Sequence, residues 1–598
     1  MAPDSAVAAT DSVVAESTDD STNVGLWNQQ FQLAQFSREN SHPHSYARAA
    51  AVASKNTQMP ILMAGDIALQ MVRGEMASTN TSGEHATPAR STGANAIEKR
   101  ERREEERQRH INEDINHQFW TALDFSGQGI RNISPKIVNY NFLQKLYLNH
   151  NMLTSIPKCI TKLMQVRVLD LSGNQISEIP PEMGMMYNLR VLLLFDNHIR
   201  NIPAELGTLF QLQFLGIVGN PWVDENEMLK NVLIQEGTRG LVEHLRDKSL
   251  VDPLPVSRQW VEVDSVTKKE NQISLMSYNT LCDQYATPQM YGYTPSWALN
   301  WDYRSRLLVE EVVERDMDII CLQEVNTVAL ETIWLPILTR LNYGVVFYAK
   351  TRARTMAKQS ESKVVDGCAT FYKIQKFQLI EKYPIEYNSK ALLKDDLKKS
   401  TDIFNRVMTR DNIAILSVFE SLDTHKQFLV ANTHLHWDPA LNDVKLVQTA
   451  LLLEETEVIA RKYARKNGDG DLKKVPVIIA GDFNSTAESG VVQLFNQSSV
   501  PAAHIDMEGH SYGNFTEHGI KHNLSLKSAY SEDTQLPFTN YTPAFVEVID
   551  YIVYTTPTLK VNAVLGEVDS QYTKKYIGFP NAHHPSDHIS IAARFELI

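Results

Sequence analysis

Apolar positions are spaced in three different ways along this chain, and each spacing predicts a different architecture. Before residue 95 they are scattered among Ala, Ser, Thr, Asn and Gln, too thinly to bury the surface that ordering requires. Residues 1–95 therefore read as a largely disordered tail, with a short amphipathic stretch at Leu26, Trp27, Phe31, Leu33 and Phe36 as its one helical candidate. Between Trp120 and Leu250, leucine-rich triplets recur, each followed by an asparagine, with a period of 23 residues. After Asp252-Pro-Leu-Pro255, apolar runs alternate with amphipathic stretches. That alternation predicts strands at 273–279, 317–324, 344–349, 367–373, 427–436, 475–482, 546–554 and 588–597, and helices near 303–316, 328–341, 443–466 and 488–496. An α/β domain is the expected result.

The 23-residue period is that of a leucine-rich-repeat solenoid. Its units are Leu146-Tyr-Leu-Asn-His-Asn151, Leu169-Asp-Leu-Ser-Gly-Asn174, Leu192-Leu-Leu-Phe-Asp-Asn197 and Leu215-Gly-Ile-Val-Gly-Asn220. Each supplies a short strand whose leucines face inward, and an asparagine able to bond backbone groups at the turn. Ile-Pro steps at Ile156-Pro157, Ile179-Pro180 and Ile202-Pro203 break the return segments. Leu123-Asp-Phe-Ser-Gly127, with Gln128 in the asparagine position, reads as an atypical first repeat, and residues 225–250 as a helical cap. A solenoid of this kind has no chemistry of its own and offers its concave surface to a partner. The expected order is a tail at 1–95, a charged helix or linker at 96–118, repeats with their cap at 119–250, a linker at 251–259 and the α/β domain at 260–598.

Composition narrows the classes. Of 598 residues, 43% are apolar and 22% charged, which is ordinary globular usage. The net charge of -13 argues against coating nucleic acid by bulk electrostatics, so any such contact is local. Cys159, Cys282, Cys321 and Cys368 lie far apart without a C-x-x-C pair, and spell neither a zinc cluster nor a disulfide framework. The first residues lack a basic segment followed by an apolar one, and no run of 18 apolar residues occurs. The expectation is a cytoplasmic protein, with the nucleus also open, and no membrane partner.

Several of the predicted strands carry oxygen donors where turn residues are usual. Asn279 closes Ser277-Tyr-Asn279, Glu324 closes Leu322-Gln-Glu324, and Gly481-Asp-Phe-Asn-Ser485 brings Asp482 and Asn484 to one side while Phe483 turns away. The same parity pairs His434 with His436 in Asn432-Thr-His-Leu-His-Trp-Asp-Pro439. Asp550 interrupts an apolar strand, and His584-Pro-Ser-Asp-His588 stands near the C-terminus. Each fragment alone has an ordinary reading: a turn, a solvated edge, a satisfied core histidine, a carboxylate bonded to a backbone donor. Their conjunction points to a site. Carboxylate and amide oxygens without thiolate favour magnesium or manganese over zinc. An ion held by Glu324 with Asn279 could polarise a phosphoryl oxygen and activate water, which suggests phosphodiester hydrolysis. An imidazolium at His588, oriented by Asp550, could stabilise charge on the equatorial oxygens.

The ordered series Ser-Tyr-Asn279, Leu-Gln-Glu324, Asn-Thr-His434, Gly-Asp482-Phe-Asn484-Ser, Ile-Asp550-Tyr and Ser-Asp587-His588 resembles the endonuclease-exonuclease-phosphatase superfamily. That resemblance implies a four-layer α/β sandwich that uses magnesium to cut phosphoesters. Repeats directly before such a domain, with Asp366-Gly-Cys-Ala-Thr-Phe371, Asn405-Arg-Val-Met408 and His436-Trp-Asp-Pro439, are similar to the carbon catabolite repressor four type of poly(A) deadenylase. The resemblance covers residues 120–598 and implies 3'-to-5' removal of poly(A) tails with release of AMP. It makes Glu324 and Asn279 metal ligands, with Asp482 and Asn484 positioning the attacking water or a second ion. It makes His588 a phosphate contact supported by Asp587 and Asp550, His434 a further phosphate contact, and Phe545, Pro439 and Asn484 an adenine slot. The implied cofactor is Mg2+, with Mn2+ able to substitute and two ions during turnover. The implied partners are poly(A) RNA and a DEDD-type deadenylase, gripped by the repeats, that links the enzyme to the NOT scaffold. One departure is Leu281, where many superfamily members carry an acid two residues after the first Asn. Two rivals stand beside this reading: a phosphatase of a dinucleotide or lipid head group, and a silent scaffold whose repeats do the work. The first lacks the basic phosphate clamp of inositide phosphatases, and the second is at odds with a complete ligand set.

Overall fold

The computed structural model describes residues 20–55, 120–223, 227–266, 269–397, 400–468 and 470–598. The expected charged linker at 96–118 lies outside the described residues, as do residues 1–19 and 56–95 of the expected tail. The chain divides into two compact units between Leu250 and Val251.

In the first unit, strands Ala122–Asp124, Lys145–Tyr147, Val168–Asp170, Val191–Leu193 and Phe214–Gly216 pair in parallel in chain order. Each return segment contains a 3-10 turn, and helix Glu227–Lys248 closes the stack. Leu146, Leu169, Leu192 and Leu215 point into one apolar core with Leu206, Leu209 and Leu241. The asparagines form a ladder between repeats. Asn174 Oδ1 accepts the Leu153 N–H at 3.0 Å, and its Nδ2 donates to the carbonyls of Leu148 and Leu171. Asn197 and Asn220 repeat the pattern one and two units on.

The segment expected to be disordered is helical over residues 20–55, and this corrects the reading of the tail there. Helices Asp20–Glu39 and Ser45–Lys55 lie on the strand face turned away from the repeat core, where Leu33, Ala34 and Tyr46 bury themselves against Tyr147, Val168, Val191, Leu193 and Phe195. Gln30 bonds the Leu215 carbonyl and the Ile217 N–H, Arg38 forms a paired contact with Asp196 at 2.7 Å, and Tyr46 donates to Asp170. The buried helix face is Gln30, Leu33, Ala34 and Ser37. Three of these four are polar or small, so hydrophobic spacing under-reports it. The concave side expected to await a partner is thus lined by the chain itself.

The second unit is built on two large sheets, with two further two-stranded ones. One runs, edge to edge, Trp260–Glu262, Leu559–Leu565, Ile591–Leu597, Gln272–Asn279, Ile319–Asn326, Asp366–Lys373 and Tyr343–Ala349. The other runs Phe377–Glu386, Ile413–Ser421, Gln427–His434, Val477–Asp482, Asp550–Thr555 and Leu526–Ser528. Strand alternation sends Phe428 and Val430 into the core between the sheets, with Ile273, Ile319, Ile478 and Phe595, and sends Leu429 and Ala431 outward against helix Asn442–Asn467. Helix Trp301–Arg315 covers the other sheet through Leu308 and Val312. Helix, sheet, sheet and helix make the expected four layers.

Two boundaries move, and some strands are new. The strand expected over 546–554 is a hairpin strand, Phe545–Glu547, followed by a separate one from Asp550. The expected 251–259 linker belongs in part to this unit, because the Arg258 guanidinium is buried on the carbonyls of Gly566 and Ser590. Strands Phe377–Glu386, Ile413–Ser421 and Leu559–Leu565 were not expected: the first is an edge with a mixed pattern, and short apolar runs do not by themselves separate strand from helix.

Candidate catalytic and metal site

Each large sheet contains one parallel pair, Gln272–Asn279 with Ile319–Asn326 and Gln427–His434 with Val477–Asp482. The C-terminal ends of these four strands meet, which brings Asn279, Glu324, His434 and Asp482 together across the two layers. Asn279 Nδ2 donates to Glu324 Oε1 at 3.2 Å and to Asp482 Oδ2 at 2.9 Å, while His434 Nε2 lies 3.5 Å from the same Asp482 oxygen.

Glu324 does not close its strand, which continues to Asn326. The register against Asp366–Lys373 slips at this point, so that Gln323 and Glu324 oppose Cys368 alone, and Glu324 takes φ 59°. This bulge turns the carboxylate out of the pleat and toward the second sheet. A left-handed glutamate costs on the order of 1–3 kcal/mol, a strain typical of functional positions. The Cys282 N–H fixes the other carboxylate oxygen at 2.8 Å, and Arg304 pins that loop through the carbonyls of Leu281 and Pro585. Leu281, in the place of the family's acid, is buried, and its N–H occupies Asn279 Oδ1.

Asp482 and Asp550 are cross-strand partners. His588 Nδ1 bonds Asp550 Oδ2 at 2.8 Å and its Nε2 stands 3.7 Å from Asp482 Oδ2. Burial opposes the imidazolium, but the charges of Asp550 and Asp482 hold its pKa well above the ordinary value. His434 is the reverse: burial and the Lys350 charge push it down to about 4, so it is neutral. The Asp482 carboxyl is raised by burial and by Asp550. Asp587 accepts from Tyr291 at 2.9 Å and Asn540 at 3.1 Å, so it holds the loop that carries His588, and its charge also favours the imidazolium.

Beside Glu324 lies a buried pair that motif reading did not assign. Lys350 Nζ meets Asp366 Oδ2 at 2.6 Å, and Arg352 and Tyr285 bond Asp366 Oδ1. Burial would raise Asp366, but Lys350 and its other partners bring it to about 2. Glu324 is pushed up to about 7 by burial and by the Asp366 charge. Lys350 immediately follows a predicted strand, which is the signal the sequence offered.

The remaining expected residues divide. Asn484 lies past the strand end at φ 48°, where its N–H donates to Asp482 Oδ1 at 2.8 Å and its side-chain amide to the Leu435 carbonyl. It holds Asp482 in place. Because the strand stops at His434, the expected pairing with His436 does not form by strand parity; the His436 N–H donates to Gln448 Oε1, and burial and the charge of Arg410 keep its ring neutral. Pro439 is exposed, beside Trp437 at 70% exposure. Phe545 is half-buried in the hairpin Asn540–Thr542/Phe545–Glu547, whose Asn540 pairs with His588.

The donor set fits a hard divalent cation. Burial first, and neighbouring carboxylates second, raise the pKa of both Glu324 and Asp482, so a cation bound between them would offset the cost of their ionised forms. Ligand atoms of Asp482, Asp550 and His588 lie within 4.8 Å of one another, but there the imidazolium already supplies the positive charge. Glu324 and Asp482, bridged by Asn279, are the better cation ligands, with oxygen donors only.

Comparison with known proteins agrees with this geometry. Residues 276–588 match the Endonuclease/Exonuclease/phosphatase family, and residues 142–181 match Leucine Rich repeats. The chain is 44% identical to the CCR4-Not complex 3'-5'-exoribonuclease subunit Ccr4 of Yarrowia lipolytica, over 95% of this chain and 89% of that relative. It is 46% identical to the same subunit of Candida albicans, over 97% and 76%. Among solved structures it is similar to ANGEL2, a 2',3'-cyclic phosphatase, at 24% identity over 57% of this chain and 99% of that one, with a TM-score of 0.46. It is also similar to the human Nocturnin catalytic domain, at 23% identity over 58% and 100%, with a TM-score of 0.40. Repeats, four-layer domain and full-length identity agree, and the chain belongs to the Ccr4 family of CCR4-Not complex 3'-5'-exoribonuclease subunits.

Proposed function

We propose that this protein is a magnesium-dependent 3'-to-5' exoribonuclease that shortens poly(A) tails and releases AMP. The observation that carries the reading is the meeting of Asn279, Glu324, Asp482, Asp550 and His588 at converging strand ends. Magnesium, or manganese in its place, would be held by Glu324 with Asn279 turned to present its oxygen, and a second ion during turnover by Asp482; bound there, it would polarise the phosphoryl oxygen. Asp482, fixed by Asn279 and the Asn484 N–H, is placed to accept a proton from the attacking water. His588, kept protonated by Asp550, donates through Nε2 to a phosphate oxygen as charge builds on it. Neutral His434 supplies a further hydrogen bond. Phe545, Pro439 and Asn484 supply the stacking and edge contacts of the terminal adenine.

The repeats hold the DEDD-type deadenylase, and through it the NOT scaffold. With helices 20–55 on their strand face, the partner meets a surface made by helices and repeats together. The cytoplasm, and the nucleus also, is the proposed setting: the substrate is mRNA, and the four cysteines are unpaired. Among the described residues no helix is long and apolar enough to cross a membrane. Progressive shortening of 5'-labelled A-tailed RNA, dependent on magnesium and arrested at the base of the tail, is the test.

A further inference from the structure

Sheet order gives the cleft a direction. From Asp550 and His588 the site passes to Asn279 and Asp482, then to Glu324 and His434, and then to Asp366. Two strands beyond Glu324 on one sheet, and one beyond His434 on the other, the end of Tyr343–Ala349 and the segment before Ile413–Ser421 line an open pocket of about 420 Å³. Its walls are hydrogen-bond donors: Arg352, Arg354 and Arg410, with Thr351, Asn388 and Thr409, against one carboxylate, Asp411.

Two arginines are committed in part, Arg352 to Asp366 and Asp411 and Arg354 to Glu386. Arg410 makes no ion pair among the described residues, and its Nε is buried without a hydrogen-bond partner. A buried orphan donor is costly unless a ligand completes it. Arg410 is also tied to the active site, since Asn412, two residues on, donates to the His434 carbonyl at 3.1 Å.

We propose that this pocket is a phosphodiester-binding subsite for the RNA upstream of the scissile bond. The inference rests on the exonuclease reading and deepens it. The adenine hairpin lies at the His588 end of the cleft and the pocket at the other end, so a terminal nucleotide seated against Phe545 leaves the 5' chain running past Glu324 toward Arg410. Two strand spacings are roughly 10 Å, which reaches a phosphate one or two nucleotides upstream. The acidic whole chain then needs no basic surface, because contact with the tail backbone is local.

The test compares the full-length protein with Arg410→Gln on two substrates, a long oligoadenylate and a diadenylate whose single phosphate is the scissile one. On the long substrate KM should rise about tenfold with kcat retained, the scale of one charge-assisted contact, and kcat/KM should become less salt-sensitive, with a log-log slope shallower by about 0.7. The diadenylate should be cut as by the parent. Should Arg410→Gln melt early, Arg354→Gln, with its exposed side chain, decides by the same ratio. Equal losses on both substrates, or no loss on the long one, overturn the subsite. A parent that fails to shorten oligoadenylate at all overturns the proposed activity instead.

Discussion

Glu324 is where strain, charge and chemistry coincide. Its bulged, left-handed backbone aims the carboxylate across the sheets, and burial, with Asp366 behind it, raises its pKa to about 7. A cation binds only the ionised carboxylate, so below pH 7 binding must displace a proton. The magnesium concentration for half-maximal activity should therefore rise about tenfold per pH unit as pH falls below 7, and level off above it. A flat dependence between pH 5 and 7 in a metal titration would remove Glu324 as principal ligand. The acids of this cluster were legible in the sequence because an Asp or Glu inside an apolar strand is conspicuous. The Lys350–Asp366 pair was not, since 16 positions separate the two and only the antiparallel register of their strands joins them.

At the scale of elements, the short hairpin Asn540–Thr542/Phe545–Glu547 serves two purposes. Asn540 braces Asp587 and pairs with His588, and Phe545 is the aromatic candidate for the adenine. Stacking contributes about 1–3 kcal/mol per base, so Phe545→Ala should lower kcat/KM on an A tail roughly 5- to 150-fold, with a smaller loss on a U tail and little change in Tm. Equal losses on both tails in a protein that melts early would make Phe545 a packing residue. Periodicity gave the repeats and the central strands because burial on one or both faces dictates their spacing. It merged this hairpin with the Asp550 strand, and it offered only a short helical candidate within Asp20–Glu39 because Gln30, Ala34 and Ser37 are three of the four residues of its buried face.

The chemistry lies in one unit of the molecule. Every residue of the site lies in the unit Val251–Ile598, and among the described residues the repeats contribute leucines and an asparagine ladder but no metal-ligand cluster. A chain beginning at Val251, which retains the Arg258 anchor, should cut oligoadenylate while failing to co-purify with the DEDD-type deadenylase. Retained co-purification would place the partner surface on the catalytic unit. Domain order was readable because each unit has its own apolar period, whereas the docking of residues 20–55 required the folded strand face. The central claim is metal-supported hydrolysis from the 3' end through Glu324, and a gel of 5'-labelled A-tailed RNA tests it most directly. With magnesium the parent should give a ladder ending at the base of the tail. Glu324→Gln at unchanged Tm, or the parent in chelator, should leave the RNA intact at under a hundredth of that rate, on the scale of several kcal/mol of lost barrier stabilisation. A ladder that persists in Glu324→Gln, or cleavage within the RNA body, would contradict the account.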